Sequence, residues 1–230
     1  MKKIAILQSN YIPWKGYFDM IDSVDEFIFY DEMQYTKNDW RNRNKIKTSN
    51  GATWLTIAVQ QNNLQQKINE TKVVNDIWRK KHLASLKQFY ARAAAYKETV
   101  SFITELYDEC ESTLLSEINR HFITKICAYL NITTKLSDCS DYGLVEGKTE
   151  RLIDLIQKAG GTEYISGPAA QSYLDERLFE EAGIRLTWMD YSGYQAYPQL
   201  NPPFEHGVSV LDLILNTGEE AKQYLKKSEY

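Results

Sequence analysis

The stretch "IAILQSNYIPWKGYF", residues 4–18, decides the fold. Residues 4–8 are short and apolar and are closed by the turn formers Ser9 and Asn10, which reads as a buried strand. Pro13 suits the first turn of a helix, where a missing N–H costs nothing, so a helix is predicted over about 14–23. A second apolar run, 26–30, predicts the next strand. Strand, helix and strand at this spacing imply a right-handed crossover and parallel pairing.

The same pattern returns near the other end. A helix is predicted over 149–159, closed by Gly160 and Gly161, then a strand over 163–166. A helix over 168–182 ends at Gly183, a strand covers 184–189, and a last helix covers about 208–216. Between the two ends, 53–59 alternates as a strand, with Leu55, Ile57 and Val59 against Trp54, Thr56 and Ala58. The middle is helical: 75–94, with Val74, Trp78, Leu86 and Phe89 on one face, then 98–115 and 117–130. The expected fold is α/β, a parallel sheet with flanking helices of nucleotide-binding type. It forms a single domain over 1–230 that carries an all-helical insertion or cap at 72–132.

The 230 residues are 43% apolar, enough for a substantial core, and the net charge of −4 argues against a nucleic-acid surface. Three cysteines without CxxC spacing exclude a disulfide framework or a zinc ribbon. The apolar run behind Met1, Lys2 and Lys3 is too short for a signal peptide, and no stretch has the length of a membrane span. The expected location is the cytoplasm, without membrane contact.

In open parallel sheets, ligands sit beyond the carboxyl ends of the strands. Gln8, Ser9, Asn10 and Tyr11 occupy that position after the first strand, and the N–H groups opening the next helix favour an anion. Tyr11 is the expected ligand contact. Trp14 is a further candidate, although it and Phe18 are expected mainly to pack the helix down. Gly16 allows a close approach by backbone or ligand.

In "YDEMQYTKNDWRNRNKIK", residues 30–47, Asp31 ends the second strand and Arg41, Arg43, Lys45 and Lys47 recur at every second position. If extended, they form one cationic face suited to a phosphate, with Asn42 and Asn44 opposite. An edge strand protected by charge fits the same residues. Gln34 in this stretch, and Gln199 in the loop "YPQLNPPFEHG" of residues 197–207, complete the candidate contacts.

A strand, Ser166-Gly167 and a Pro-initiated helix make a second anion turn. Lys148, Thr149 and Arg151 open another helix after a loop. "GLVEGKT" is not a P-loop, because Gly143 and Gly147 enclose three residues instead of four. No histidines have metal-ligand spacing, and the GxSxG elbow is absent, so neither a metal site nor a typical serine hydrolase is expected. The general-base candidates are His82, on the apolar face of its helix, and His206, with Asp31 as a further catalytic candidate.

"QSNYIPWKGYF", "YDEMQYTKNDWRNRNKIK", "WRKKHLASL", "KTERLIDL", "YISGPAAQSYLDE" and "FEHGVSVLDLI", in this order, resemble the WbqC-like family of bacterial proteins. The family usually has Pro after the first Gln, where this chain has Ser9. The resemblance implies a role in O-antigen or other surface polysaccharide synthesis, on a nucleotide-linked amino sugar. The activity expected is transfer of an acyl or aminoacyl group from a small donor to the sugar amine, with ATP required if the donor is activated in place. The adenylate-forming HxGH signature is missing where "YIPWKGY" stands. The alternatives are a non-catalytic nucleotide or nucleotide-sugar binding module and, more weakly, an RNA-binding protein.

Overall fold

A computed structural model describes residues 1–226. In chain order the elements are β1 (Lys3–Leu7), α1 (Lys15–Asp22), β2 (Glu26–Phe29), β3 (Arg43–Thr48), β4 (Gly51–Thr56), β5 (Val59–Gln60), β6 (Lys72–Val73), α2 (Ile77–Tyr90), α3 (Tyr96–Asp108), α4 (Leu115–Tyr129), β7 (Lys135–Asp138), α5 (Thr149–Lys158), β8 (Glu163–Ser166), α6 (Glu176–Glu181), β9 (Arg185–Trp188) and α7 (Val210–Thr217). Five strands form one sheet in the order β7–β2–β1–β8–β9, with every pairing parallel. The α/β parallel sheet with flanking helices is as expected.

Successive residues of a strand face opposite sides, and both sides are covered. Ala5, Phe27, Phe29 and Ile165 pack with α1, α4 and α7 residues such as Phe18, Phe122 and Ile214. Ile4, Ile6, Ile28 and Tyr164 pack with Leu155 and Ile156 of α5 and Phe179 of α6. The chain adds β2 and β7 on one side of β1, then crosses to add β8 and β9 on the other. The carboxyl edge between β1 and β8 is therefore the switch point of the sheet.

The strand expected over 53–59 is found largely as β4, the second strand of an antiparallel hairpin with β3, closed by a two-residue loop before Gly51 at φ +99°. Three points differ from expectation. The predicted helix 168–182 is two pieces, a 3-10 turn at Pro168–Ser172 and α6, whose start is capped by Asp175 accepting from Arg177 N at 3.2 Å. Val74 lies outside α2 and is 51% exposed, so the apolar face is Trp78, Leu86 and Tyr90, with Phe89 partly buried against the same core as expected. Residues 135–138, assigned to no element from sequence, form the edge strand β7.

Glu26 anchors the amino edge of the sheet. It is fully buried and accepts from Lys2 Nζ at 2.7 Å, from Lys135 Nζ at 3.0 Å, and from Ser137 Oγ and Tyr142 Oη. Burial alone would raise its pKa, but these four donors outweigh burial and hold it at about 2, against an ordinary 4.5. A depressed carboxyl stabilises the fold above its unfolded pKa. That stabilisation is lost as pH falls from about 4.5 through about 2. The two lysines are partly solvated, so the expected size is ~1–3 kcal/mol. Urea midpoints at pH 7 and pH 3 should show a larger acid loss for wild type than for Glu26→Gln. Equal losses would remove Glu26 from the acid response.

Candidate functional site

Two clefts flank the turn that follows β1. The first, of about 450 Å³, lies at the switch point. Its floor is Ile6, Leu7 and Gln8 from the end of β1 and Tyr164 and Ser166 from β8. Gly167, Ala169, Ala170, Tyr173 and Leu174 form one wall, and Tyr30 and Met33 another. The amino end of α5 supplies Gly147, Lys148, Arg151 and Leu152. Arg151 is held over the opening by Nε donating to Val145 O at 2.5 Å, and its tip reaches Met33 Sδ. Two cations, the N–H end of a ten-residue helix and no Asp, Glu or His in the lining make this cleft suited to an anion.

The second cleft, of about 340 Å³, is lined by Asn10, Pro13, Trp14, Trp40, Asn44, His206 and Gly207. The Trp14 ring lies over Gly16, where a Cβ would come within 2.3 Å of it; the close approach that Gly16 permits is made by this indole. His206 is exposed and packs edge-on against Phe204. Partial burial, then the neighbouring Lys15 ammonium, lower its pKa, against a smaller opposing effect of Glu205. Its imidazole is therefore neutral at neutral pH and able to accept a proton. Lys15 is itself buried between the Tyr194 and Tyr197 rings and donates to Gln195 O at 3.0 Å. Burial lowers its pKa to about 8, with Asp19 opposing.

Arg41 joins the clefts. One terminal nitrogen donates to Asn10 Oδ1 and the other to Gln8 Oε1 at 3.2 Å. The turn between them is strained: Ile12 is β-branched, fully buried and at φ +36°. Asn44 fixes it, its Nδ2 donating to Tyr11 O at 3.0 Å and to Ile12 O at 2.9 Å.

The structure brings Gln8, Lys148, Arg151, Ser166 and Gly167 into the first cleft, Trp14, Asn44 and His206 into the second, and Arg41 between them. It separates the others. Tyr11 and His82 lie in the core, 0% and 5% exposed, beside Trp78, Tyr107 and Phe122. His82 Nε2 faces Thr56 O, which can only accept, so Nε2 carries the proton and Nδ1 accepts from Tyr11 Oη at 2.9 Å. Tyr11 Oη in turn meets Tyr107 Oη at 2.9 Å. Burial lowers the His82 pKa to about 4, against a smaller effect of the Thr56 bond. The ring is neutral, as expected beside Trp78, but both nitrogens are occupied and neither cleft reaches it. Tyr11 is therefore a core residue instead of a cleft contact, while Trp14 packs over Gly16 and against Tyr191 and Tyr194, as expected, and also lines the second cleft.

Asp31 is 1% exposed and accepts from Ser9 N, outside both clefts. The basic strip is not one open cationic face. Arg41 lies outside β3 at the junction of the clefts, Arg43 and Lys45 lie 4.1 and 5.2 Å over the same Trp54 ring, and Lys47 is buried and donates to Pro203 O. Asn42 Nδ2 ties down Ile57 O at 2.8 Å, and Gln34 bonds Leu64 O in an outlying loop. Gln199 Nε2 donates to buried Asp212 at 2.7 Å and to Glu205 O, and its Oε1 accepts from Glu205 N, so it shapes the loop that carries His206. Thr149 is buried under the first turn of α5. Gly167 has an ordinary φ of −72°, and a side chain there would approach Met20 and Tyr191, not the cleft lining. The helix expected to start at Pro168 opens as a short 3-10 turn, so the anion donors of the first cleft come from α5.

Trp40, Tyr30, Met33 and Tyr173 line the clefts without having been singled out from sequence. Trp40 carried a signal, a lone indole in the polar run "KNDWRNRN", and it is 41% exposed against Trp54 at 5.3 Å. Among the described residues no helix is long and apolar enough to cross a membrane.

No solved structure matches the chain. A Mycobacterium tuberculosis protein named "Uncharacterized protein Rv1507c" is 53% identical over 227 residues, covering 98% of each chain. The pattern of the WbqC-like protein family matches residues 8–224, and with that span the chain belongs to the WbqC-like protein family.

Proposed function

We propose that the protein binds a nucleotide-linked amino sugar and transfers an acyl or aminoacyl group to its amine, as a step in bacterial surface polysaccharide synthesis. The observation that carries this reading is the switch-point cleft, where Lys148, Arg151 and the amino end of α5 converge on the carboxyl ends of β1 and β8. Phosphates sit there, and Arg41 at the junction faces the group leading into the second cleft. Trp14 and Trp40 flank the sugar, and His206 takes the proton of the attacking amine as its nitrogen bonds to the acyl carbon and the donor's leaving group departs. ATP enters only if the donor is a free carboxylate. The partners are these small molecules, without nucleic acid or membrane.

A non-catalytic binding module is the second reading, favoured by one observation: the first cleft has no Asp, Glu or His in its lining. Calorimetric titration with nucleoside diphosphates and their amino sugars tests the binding that both readings share. Arg151→Glu is expected to weaken affinity ~10–100-fold, the worth of one charge-assisted contact, with the melting temperature nearly unchanged. Unaltered affinity would take the phosphates out of this cleft.

A further inference from the structure

The chain from 189 to 209, between β9 and α7, contains no strand or helix, and His206 lies near its end. Connections of that length are uncommon in compact domains and usually serve function. One buried side chain holds this connection in place. Asp212, in the first turn of α7, is 0% exposed and lines neither cleft. Its Oδ1 accepts from Tyr197 Oη at 2.5 Å and from Gln199 Nε2 at 2.7 Å. Its Oδ2 accepts from Tyr90 Oη of α2 at 2.6 Å. Tyr90 Oη in turn accepts from Lys47 N at 2.8 Å, and Lys47 Nζ donates to Pro203 O. The loop is therefore held at 197, 199 and 203, all around one carboxyl group.

The path from these anchors to His206 is short. Gln199 closes a ring with Glu205, its Nε2 donating to Glu205 O at 3.1 Å and its Oε1 accepting from Glu205 N at 2.8 Å. His206 is the next residue. Tyr197 packs edge-on against Phe204 at 4.9 Å, and Phe204 packs edge-on against the His206 ring at 4.6 Å. His206 is exposed, and an exposed ring keeps its place only as well as the backbone that carries it. We infer that Asp212 is the positioning residue for His206, fixing the backbone of 197–205 so that the imidazole stays at the second cleft. The inference rests on the proposed transfer, in which His206 is the base. Oδ1 holds the loop and Oδ2 holds α2, so the helical insertion and the base share one anchor.

Two variants of the full chain test this from the two sides of the same bonds. Asp212→Ala removes the acceptor. Tyr197→Phe with Gln199→Met removes both donors to Oδ1 and leaves Asp212 with its bond to Tyr90, so it carries the test if Asp212→Ala fails to fold. Turnover is measured on the amino sugar, and the His206 imidazole is titrated by NMR, its signal assigned by its loss in His206→Gln. A fall of ~10–100-fold in kcat is expected, the effect of a misplaced catalytic group. KM for the nucleotide-linked sugar should change little, because Lys148 and Arg151 of the first cleft are untouched. In a His206→Gln background the same replacements should cost no further turnover, since Asp212 acts through that ring.

Burial and then the Lys15 charge lower the His206 pKa, with Glu205 opposing. A released loop should let that pKa rise toward the ordinary 6.5, while the other two histidine signals stay as in wild type. An unchanged His206 titration in the folded variants overturns the positioning role. So does an equal loss of turnover in the His206→Gln background. Wild-type protein that yields no product from any donor would remove the transfer reading alone, and the titration would still decide whether Asp212 places His206.

Discussion

Replacing His206 by Gln is expected to lower turnover by a factor of ~10² to 10⁴, the usual contribution of one general base. Affinity for the nucleotide-linked sugar should change little, because the phosphates are held in the other cleft by Lys148 and Arg151. His206 is exposed, so the variant should fold with a near-native melting temperature. Burial and the Lys15 charge lower the His206 pKa, so the acid limb of the pH–rate profile should fall below the ordinary histidine value of 6.5. His82→Gln is the matched control. It disturbs the buried Tyr11–His82–Tyr107 chain and should cost stability, with turnover per folded molecule retained. Turnover is read as mass gain on the amino sugar with candidate donors, with and without ATP. Loss in His82→Gln but not in His206→Gln would reverse the assignment. Tight binding without product, from any donor, would favour the binding module.

Asn44→Ala should be the most damaging single change to the turn. It removes both donors to the Tyr11 and Ile12 carbonyls and leaves two buried acceptors unpaired. It also releases Ile12 from a positive φ that a β-branched residue adopts only under constraint. A loss of ~2–4 kcal/mol is expected, or roughly 4–16 °C in melting temperature for a chain of this size. Binding should weaken as well, since Asn10 and Gln8 leave their places against Arg41. A variant as stable as wild type would mean that the turn holds its shape without Asn44.

The central strands are legible in the sequence because each is an apolar run between turn formers. β7 is not, because an edge strand needs little apolar pattern: "KLSD" buries only Ser137 fully and leaves Leu136 partly covered. The β3–β4 hairpin is obscured by charges at alternate positions, which read as one open cationic face although Trp54 covers Arg43 and Lys45 and Lys47 is buried against Pro203 O. Gln8 and Ser166 are readable from the rule that ligands sit at strand ends, and Lys148 and Arg151 from the helix they open after a loop. The burial of Tyr11 is not, because the left-handed step at Ile12 decides which ring turns inward. The depth of His82 is set by Tyr107 and Phe122, contributed from distant α3 and α4. Periodicity along α2 shows its apolar face but not what covers it.

The position of β1 also matters while the chain is being made. Its pairing with β2 is local, but its other edge waits for β8, where Ile4 pairs with Tyr164. At ~5–20 residues per second, the intervening stretch takes about 8–30 s to synthesise. Through that interval the backbone edge of the most apolar strand is open to any other strand with matching pattern. Nascent chains stalled between β7 and β8 should therefore be the aggregation-prone species, and release of the chain through Ser166 should end that vulnerability.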